Sequence, residues 1–294
     1  MNDMESNPSR RKVLGAGAAA LALSTLKLQA ANAQPDIGAA KSDAPKSEAN
    51  KIKLVERDVT FQSGDAQIKA FRAEPEQTPK AAILIIHEIF GLNAHIRDLA
   101  RRFARQGYVC LAPDLYSREG TPNLDISNMP SIMKFVASLP DRRIVGDLQA
   151  GLEYLRGEGI EKIGSIGFCM GGLYSYLLAC KSDKLDAAAD FYGRIVYAET
   201  SANKPESPVE LAAQLKCPLL CCFGEQDASI PQSDVAKLRD GLKQSTPSWK
   251  INVYPGAGHA FFNDTRPSYN APAAGDAGSE VLAFFKRHLQ IDKT

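Results

Sequence analysis

Three residues have the types and the chain order of a nucleophile, an acid and a base: Cys169, Asp227 and His259. Cys169 stands in Gly167-Phe168-Cys169-Met170-Gly171, a G-x-nucleophile-x-G arrangement. Glycines on either side let a strand and the next helix approach closely while the central residue occupies a strained, exposed turn. That helix would aim its N-terminal amides at the sulfur, which favours a thiolate and helps to bind an oxyanion. Asp227 follows "LLCCFGEQ" and His259 follows "INVYPGAG". A histidine oriented by a carboxylate can take a thiol proton and later give it to a leaving group. Each residue alone has a plainer reading: a buried small hydrophobe, a turn residue or helix N-cap, and a loop histidine. Of the other histidines, His87 ends a predicted strand, His95 starts a predicted helix and His288 lies in the last one. None of them competes well for the role.

The elements that must carry these residues follow from hydrophobic periodicity. "KLVERDVTFQ" and "AQIKAFRAE" alternate apolar and polar residues around Ser63-Gly64-Asp65, the pattern of a hairpin with one wet face. "KAAILIIHE" is a continuous apolar run, as in a strand buried on both faces of a parallel sheet. "NAHIRDLARRFARQG" is an amphipathic helix with Ile96, Leu99, Ala100, Phe103 and Ala104 on one stripe. Further strands are predicted at "YVCLAPD", "IGSIGF", "DAAADFYG", "CPLLCCFG" and "WKINVYP". Helices at "RIVGDLQAGLEYLRG", "MGGLYSYLLACKS", "SDVAKLRDGLKQ" and "AGSEVLAFFKRHL" alternate with them. Such alternation implies a mostly parallel sheet covered by helices on both faces. Cys169, Asp227 and His259 then all fall beyond the carboxyl ends of strands, where ligands bind in such sheets. The polar stretch from Glu199 to Gln214 stays open, as a cap over the site or a plain loop.

The chain has 294 residues, 44% hydrophobic and 23% charged, enough for one sizeable α/β core. A formal net charge of +1 gives no basic field for nucleic acid. Arg10-Arg11-Lys12, an apolar run from Val13 to Leu26 and Ala31-Asn32-Ala33 form a charged, an apolar and a cleavage region. The paired arginines after Ser9 resemble a twin-arginine signal; a Sec signal or an uncleaved anchor are the alternatives. The apolar run of about 14 residues is short of the ~20 that cross a bilayer. The chain therefore divides into a signal peptide at 1–33, a flexible linker at 34–50 and one domain at 51–294. Export by the twin-arginine machinery to the periplasm or beyond is expected, and the protein should act as a monomer. Most of the six cysteines sit in apolar runs with no C-x-x-C pair, so no structural disulfide and no zinc site is expected. A redox role for Cys169 would need a resolving thiol. Cys180, about 16 Å along the same predicted helix, is too far to serve.

"HEIFGLN", "APDLY", "GFCMGG", "FGEQD" and "PGAGHAFF" together resemble the dienelactone hydrolase family, carboxymethylenebutenolidases of the α/β-hydrolase fold, over about residues 55 to 290. The resemblance implies a single-domain α/β fold with a mostly parallel sheet and an N-terminal antiparallel hairpin. It makes Cys169 the nucleophile, His259 the general base and acid, Asp227 the residue orienting the imidazole, and Glu88 a carboxylate contacting the thiol. The oxyanion would lie on the amides of Met170 and Ile89. The substrate is expected to be a small ester or lactone, with no metal or organic cofactor. The family clamps a substrate carboxylate with two arginines. Arg118 matches the first, but Asn263 stands at the place of the second, with Arg266 three residues beyond as a substitute. A thioesterase or other acyl hydrolase on the same site, or an exported binding protein without turnover, are the competing readings.

Overall fold

In the computed structural model, which describes residues 37, 52–77 and 79–290, the alternating N-terminal segments form a long hairpin. β1 (Leu54–Ser63) and β2 (Ala66–Pro75) pair antiparallel from Leu54↔Pro75 to Ser63↔Ala66. Gly64 turns the chain between them at φ 56°, a left-handed conformation that glycine adopts at little cost. β1 is an edge strand with few buried residues, as its alternation requires. The continuous apolar runs instead become strands buried along nearly their whole length: β3 (Ala81–Ile86), β4 (Val109–Pro113), β5 (Lys162–Phe168), β6 (Ala187–Phe191) and β7 (Leu219–Gly224). β8 (Trp249–Tyr254) closes the far edge.

The eight strands lie in the order β1-β2-β4-β3-β5-β6-β7-β8. β1, β2 and β4 are joined antiparallel, and every pairing from β4 to β8 is parallel. β5 therefore lies in the middle of the sheet, between β3 and β6. α1 (Ala94–Ala104) and α6 (Ala271–Leu289) share one face, where Phe103 meets Phe285 edge-on at 6.1 Å. α3 (Asp141–Gly157) and α4 (Met170–Lys181) cover the opposite face, and α5 (Gln232–Leu242) packs beside a 3-10 segment, Pro208–Gln214. The stripe on α1 is buried as its spacing requires. Gly164 lets α6 sit tight on β5, since a Cβ there would lie 2.8 Å from the Phe285 ring.

Two elements go beyond the sequence reading. α2 (Met129–Ser138) follows Asn128, whose side chain caps it by accepting from the Ser131 amide, and it carries a proline in its first turn. The open stretch at 199–214 ends in the 3-10 segment, started by a Ser207–Glu210 capping box. α6 also begins at Ala271 rather than 277, because Asn270 caps it and Pro272 fits its first turn. The proposed signal peptide lies outside the described residues, as does the linker apart from Ile37. That residue is buried, and Arg102 Nη1 donates to its carbonyl at 3.1 Å, so the linker is held to the body at this point. Among the described residues no helix is long and apolar enough to cross a membrane.

Candidate active site

β5 delivers Cys169 to the carboxyl edge of the sheet. The residue has φ 55° and ψ −115°, a conformation that typically costs about 1–3 kcal/mol. Its amide donates to the Phe191 carbonyl at 3.0 Å and its carbonyl accepts from the Leu173 amide at 3.2 Å, so both neighbouring elements hold the turn. The flanking glycines are sterically required. A Cβ on Gly167 would lie 1.8 Å from the Gly171 carbonyl oxygen, and one on Gly171 would lie 2.1 Å from that of Ile86. Cys169 itself is half-buried, whereas the other five cysteines are buried free thiols.

The acid and the base arrive on two loops stitched together below them. After β7 the Glu225 amide donates to Tyr254 O at 3.0 Å and the Gln226 amide to Ala257 O at 2.8 Å. Asp227 follows, almost fully buried, with Oδ1 accepting from the Ser229 amide at 2.8 Å. Its Oδ2 lies 2.7 Å from His259 Nδ1, and His259 Nε2 lies 3.2 Å from Cys169 Sγ. Burial alone would push the imidazole down. The hydrogen bonds to Asp227 and Cys169, with the charges of both, outweigh it and raise the ring to about 10. The folded site therefore favours the protonated ring.

Glu88 follows β3 and is buried. His87 orders this loop: its Nδ1 lies 2.6 Å from the Glu88 carbonyl, and its Nε2 accepts from the Leu115 amide at 3.0 Å. Those partners require a neutral ring with its proton on Nδ1, and burial pushes the ring's pKa down accordingly. Tyr116 donates to the Ile89 carbonyl at 2.9 Å and pins the next residue. Ile89 and Met170 line the same cavity as Cys169 and His259, a space of about 620 Å³. Met170 is the first residue of α4, so its amide has no acceptor within the helix.

A model of the family described as "Dienelactone hydrolase family" matches residues 68–289. The chain belongs to the dienelactone hydrolase family. An Escherichia coli K12 protein named "Putative carboxymethylenebutenolidase" is 39% identical over 224 residues, covering 74% of this chain and 82% of the relative. A Bradyrhizobium protein named "Probable 2-oxo-3-(5-oxofuran-2-ylidene)propanoate lactonase" is 33% identical over 231 residues, covering 77% and 92%. Among solved structures, a Klebsiella pneumoniae protein titled "Putative Dienelactone Hydrolase" superposes with a TM-score of 0.75 at 36% identity, covering 80% of this chain and 99% of that one.

In this member of the dienelactone hydrolase family Cys169, His259 and Asp227 are brought together, whereas Glu88 and Arg118 have other partners. The Glu88 carboxyl is bonded to Asn263 rather than to the thiol: Asn263 Nδ2 donates to Glu88 Oε2 at 2.9 Å. Asn263 Oδ1 is fixed in turn by the amide and hydroxyl of Thr265, at 3.0 and 2.7 Å, so the amide can face Glu88 in only one orientation. Burial pushes the Glu88 carboxyl upward, against Arg266, Asn263 and His259. Arg118 is not on the cavity wall. Its guanidinium is held by Asp147, by Asp65 at 2.8 Å and by the Ser63 carbonyl at 2.8 Å, which makes it a strut between the hairpin and α3. Arg266 does line the cavity, with its guanidinium 4.1 Å over the Phe90 ring and no ion pair among the described residues.

Most of the wall was not read from the sequence, Tyr192, Met129 and Met133 among it. Tyr192, directly after β6, stacks edge-on to His259 at 5.3 Å, and its buried hydroxyl has no hydrogen-bond partner among the described residues. Its place after a strand end was a signal of the same kind that singled out Cys169. Met129 and Met133 come from α2, a helix whose existence was not anticipated. Among the described residues no three His, Cys, Asp or Glu side chains converge as a metal site would need.

Proposed function

We propose that the protein hydrolyses a carboxylic ester or lactone through a Cys169–His259–Asp227 triad and a thioester on Cys169. The observation that carries this is the pair of contacts on one ring, 2.7 Å from Asp227 and 3.2 Å from the sulfur. The thiolate adds to the carbonyl carbon, and the amides of Met170 and Ile89 receive the charge that moves onto oxygen. As the C–O bond breaks, the His259 imidazolium gives its proton to the leaving alkoxide. Acylation removes the thiolate, one of the partners that hold the ring protonated. The neutral imidazole then takes a proton from water, whose oxygen attacks the thioester, and C–S cleavage restores the thiolate. Arg266 supplies the cation for any anionic group on the substrate.

Quenching turnover of a slowly hydrolysed ester in acid and digesting the protein should reveal one acyl mass increment, on the peptide bearing Cys169. An increment on another residue, with Cys169 unmodified, would overturn the reading. The state of the ring adds a second test. An alkyl ester, whose leaving oxygen needs the His259 proton, should lose kcat/KM as pH rises through about 10. An activated aryl ester should show a shallower fall, because its leaving group departs without protonation. Parallel profiles for the two substrates would remove His259 from the acid role.

A further inference from the structure

We infer that α2 is the seat of an extended apolar arm of the substrate, making the site selective for esters or lactones with long alkyl or acyl substituents. The inference rests on the hydrolase reading above and adds a substrate class to it. The cavity that opens on Cys169 is continuous with α2. Met170 and Leu173 line it beside the sulfur, and Met129, Met133 and Val136 line it from the helix.

α2 is held to the body by Ile132 and Val136, which are buried, and by Phe135, which lies edge-on to Tyr116 at 4.9 Å. Its two methionines are left largely to solvent, Met129 38% exposed and Met133 46%, as is Ile126 just before the helix at 63%. These are three of the five large hydrophobic residues that the described structure exposes, gathered within eight positions, and Met129 and Met133 among them line the catalytic cavity. Leaving such surface wet forgoes stabilisation that burial would give. An apolar patch rimming a polar site marks a place where something apolar sits. Methionine suits that task, because its unbranched thioether adapts to a flexible chain better than a branched side chain does.

Size points the same way. A cavity of about 620 Å³ belongs to the range that encloses drug-sized ligands, and a small lactone ring with a short side chain would leave most of it empty. Glu88, Arg194, Glu199, Lys204 and Arg266 are the charged residues of the wall. Two of them have partners of their own: Lys204 is bound to Asp141 at 2.8 Å, and Arg266 lies over Phe90.

The test is the chain-length dependence of kcat/KM for purified protein on two series. One is aryl esters from acetate to decanoate; the other is γ-lactones with alkyl substituents of increasing length. At least one series should climb about threefold per added methylene over its first members. The double variant Met129→Ser, Met133→Ser should flatten that climb, lowering the ratio of long-chain to acetyl kcat/KM at least tenfold. Met133→Leu should keep the climb. Ile52→Ser, which removes an exposed apolar residue far along the chain, should leave the ratio unchanged. A climb that survives the double substitution would overturn the inference, as would flat or falling series in the wild type. Either result would leave the hydrolase reading standing provided turnover depends on Cys169. Absence of turnover on every member would sink that reading, and the inference with it.

Discussion

Cys169→Ala protein should fold with nearly the wild-type Tm and lose roughly 10⁴- to 10⁶-fold in kcat for any ester the wild type cleaves, a loss of the size seen when a triad nucleophile is removed. The stability side follows from the environment. Cys169 is half-buried, its backbone bonds to Phe191 and Leu173 do not use the side chain, and alanine adopts the same turn at the same cost. The catalytic side follows from what remains. His259 keeps its bond to Asp227 and can still activate a water molecule, so a residual rate above background is expected, but no covalent intermediate forms. Cys169→Ser should recover only a small part of the loss, because a hydroxyl yields its proton to an imidazole far less readily than a thiol does. Accessibility offers an independent check. With the other five cysteines buried, an alkylating reagent should modify Cys169 first and abolish activity in step. An alanine protein retaining more than about a hundredth of wild-type activity would dismiss the thiol mechanism.

What the sequence displayed and what it hid divide along physical lines. Cys169, Asp227 and His259 were legible because each follows a recognisable strand, and because α/β topology brings the ends of parallel strands to one edge of the sheet. The glycines around Cys169 were legible for a steric reason that the 1.8 and 2.1 Å approaches now quantify. α2 went unread although Met129, Ile132, Met133 and Val136 recur at i, i+3, i+4 and i+7: the stripe spans only ten residues, and its two methionines are left exposed rather than packed on the sheet. The place of Arg118 was also hidden. Its match to the family's first arginine made it a ligand-binding cation by resemblance, whereas its actual partners, Asp147 and Asp65, lie 29 and 53 residues away in the chain. Asn263 illustrates the same limit at longer range. Its match to the family's second arginine marked it as a loss, yet the fold brings it to Glu88, 175 residues distant, as the donor that fixes a buried carboxyl. Local pattern specifies elements and the ends of strands; it does not specify which polar groups the tertiary fold will pair.

Asp227→Asn should cost roughly 10³- to 10⁴-fold in kcat/KM while leaving the fold and Cys169 in place, because it sets the wrong tautomer. The geometry shows why asparagine is not a mild replacement here. The Ser229 amide donates to Asp227 Oδ1 at 2.8 Å, and an asparagine must keep its carbonyl oxygen there to satisfy that donor. Its NH₂ group then faces His259 Nδ1, which must accept rather than donate. The ring proton is driven to Nε2, pointing at the sulfur 3.2 Å away, and the ring can no longer take the thiol proton. The substitution also removes one of the interactions that lift His259 to about 10, so the alkaline limit of alkyl-ester turnover should move to lower pH. Stability must follow with a definite sign. A histidine raised from 6.5 in the unfolded chain to about 10 in the folded one adds stability that is complete below about pH 6.5 and gone once pH passes 10. The Tm deficit of Asp227→Asn relative to wild type should therefore be largest near pH 6 and shrink steadily toward pH 10. A deficit that grows with pH, or an asparagine variant within tenfold of wild-type activity, would show that Asp227 does not hold the ring in its working state.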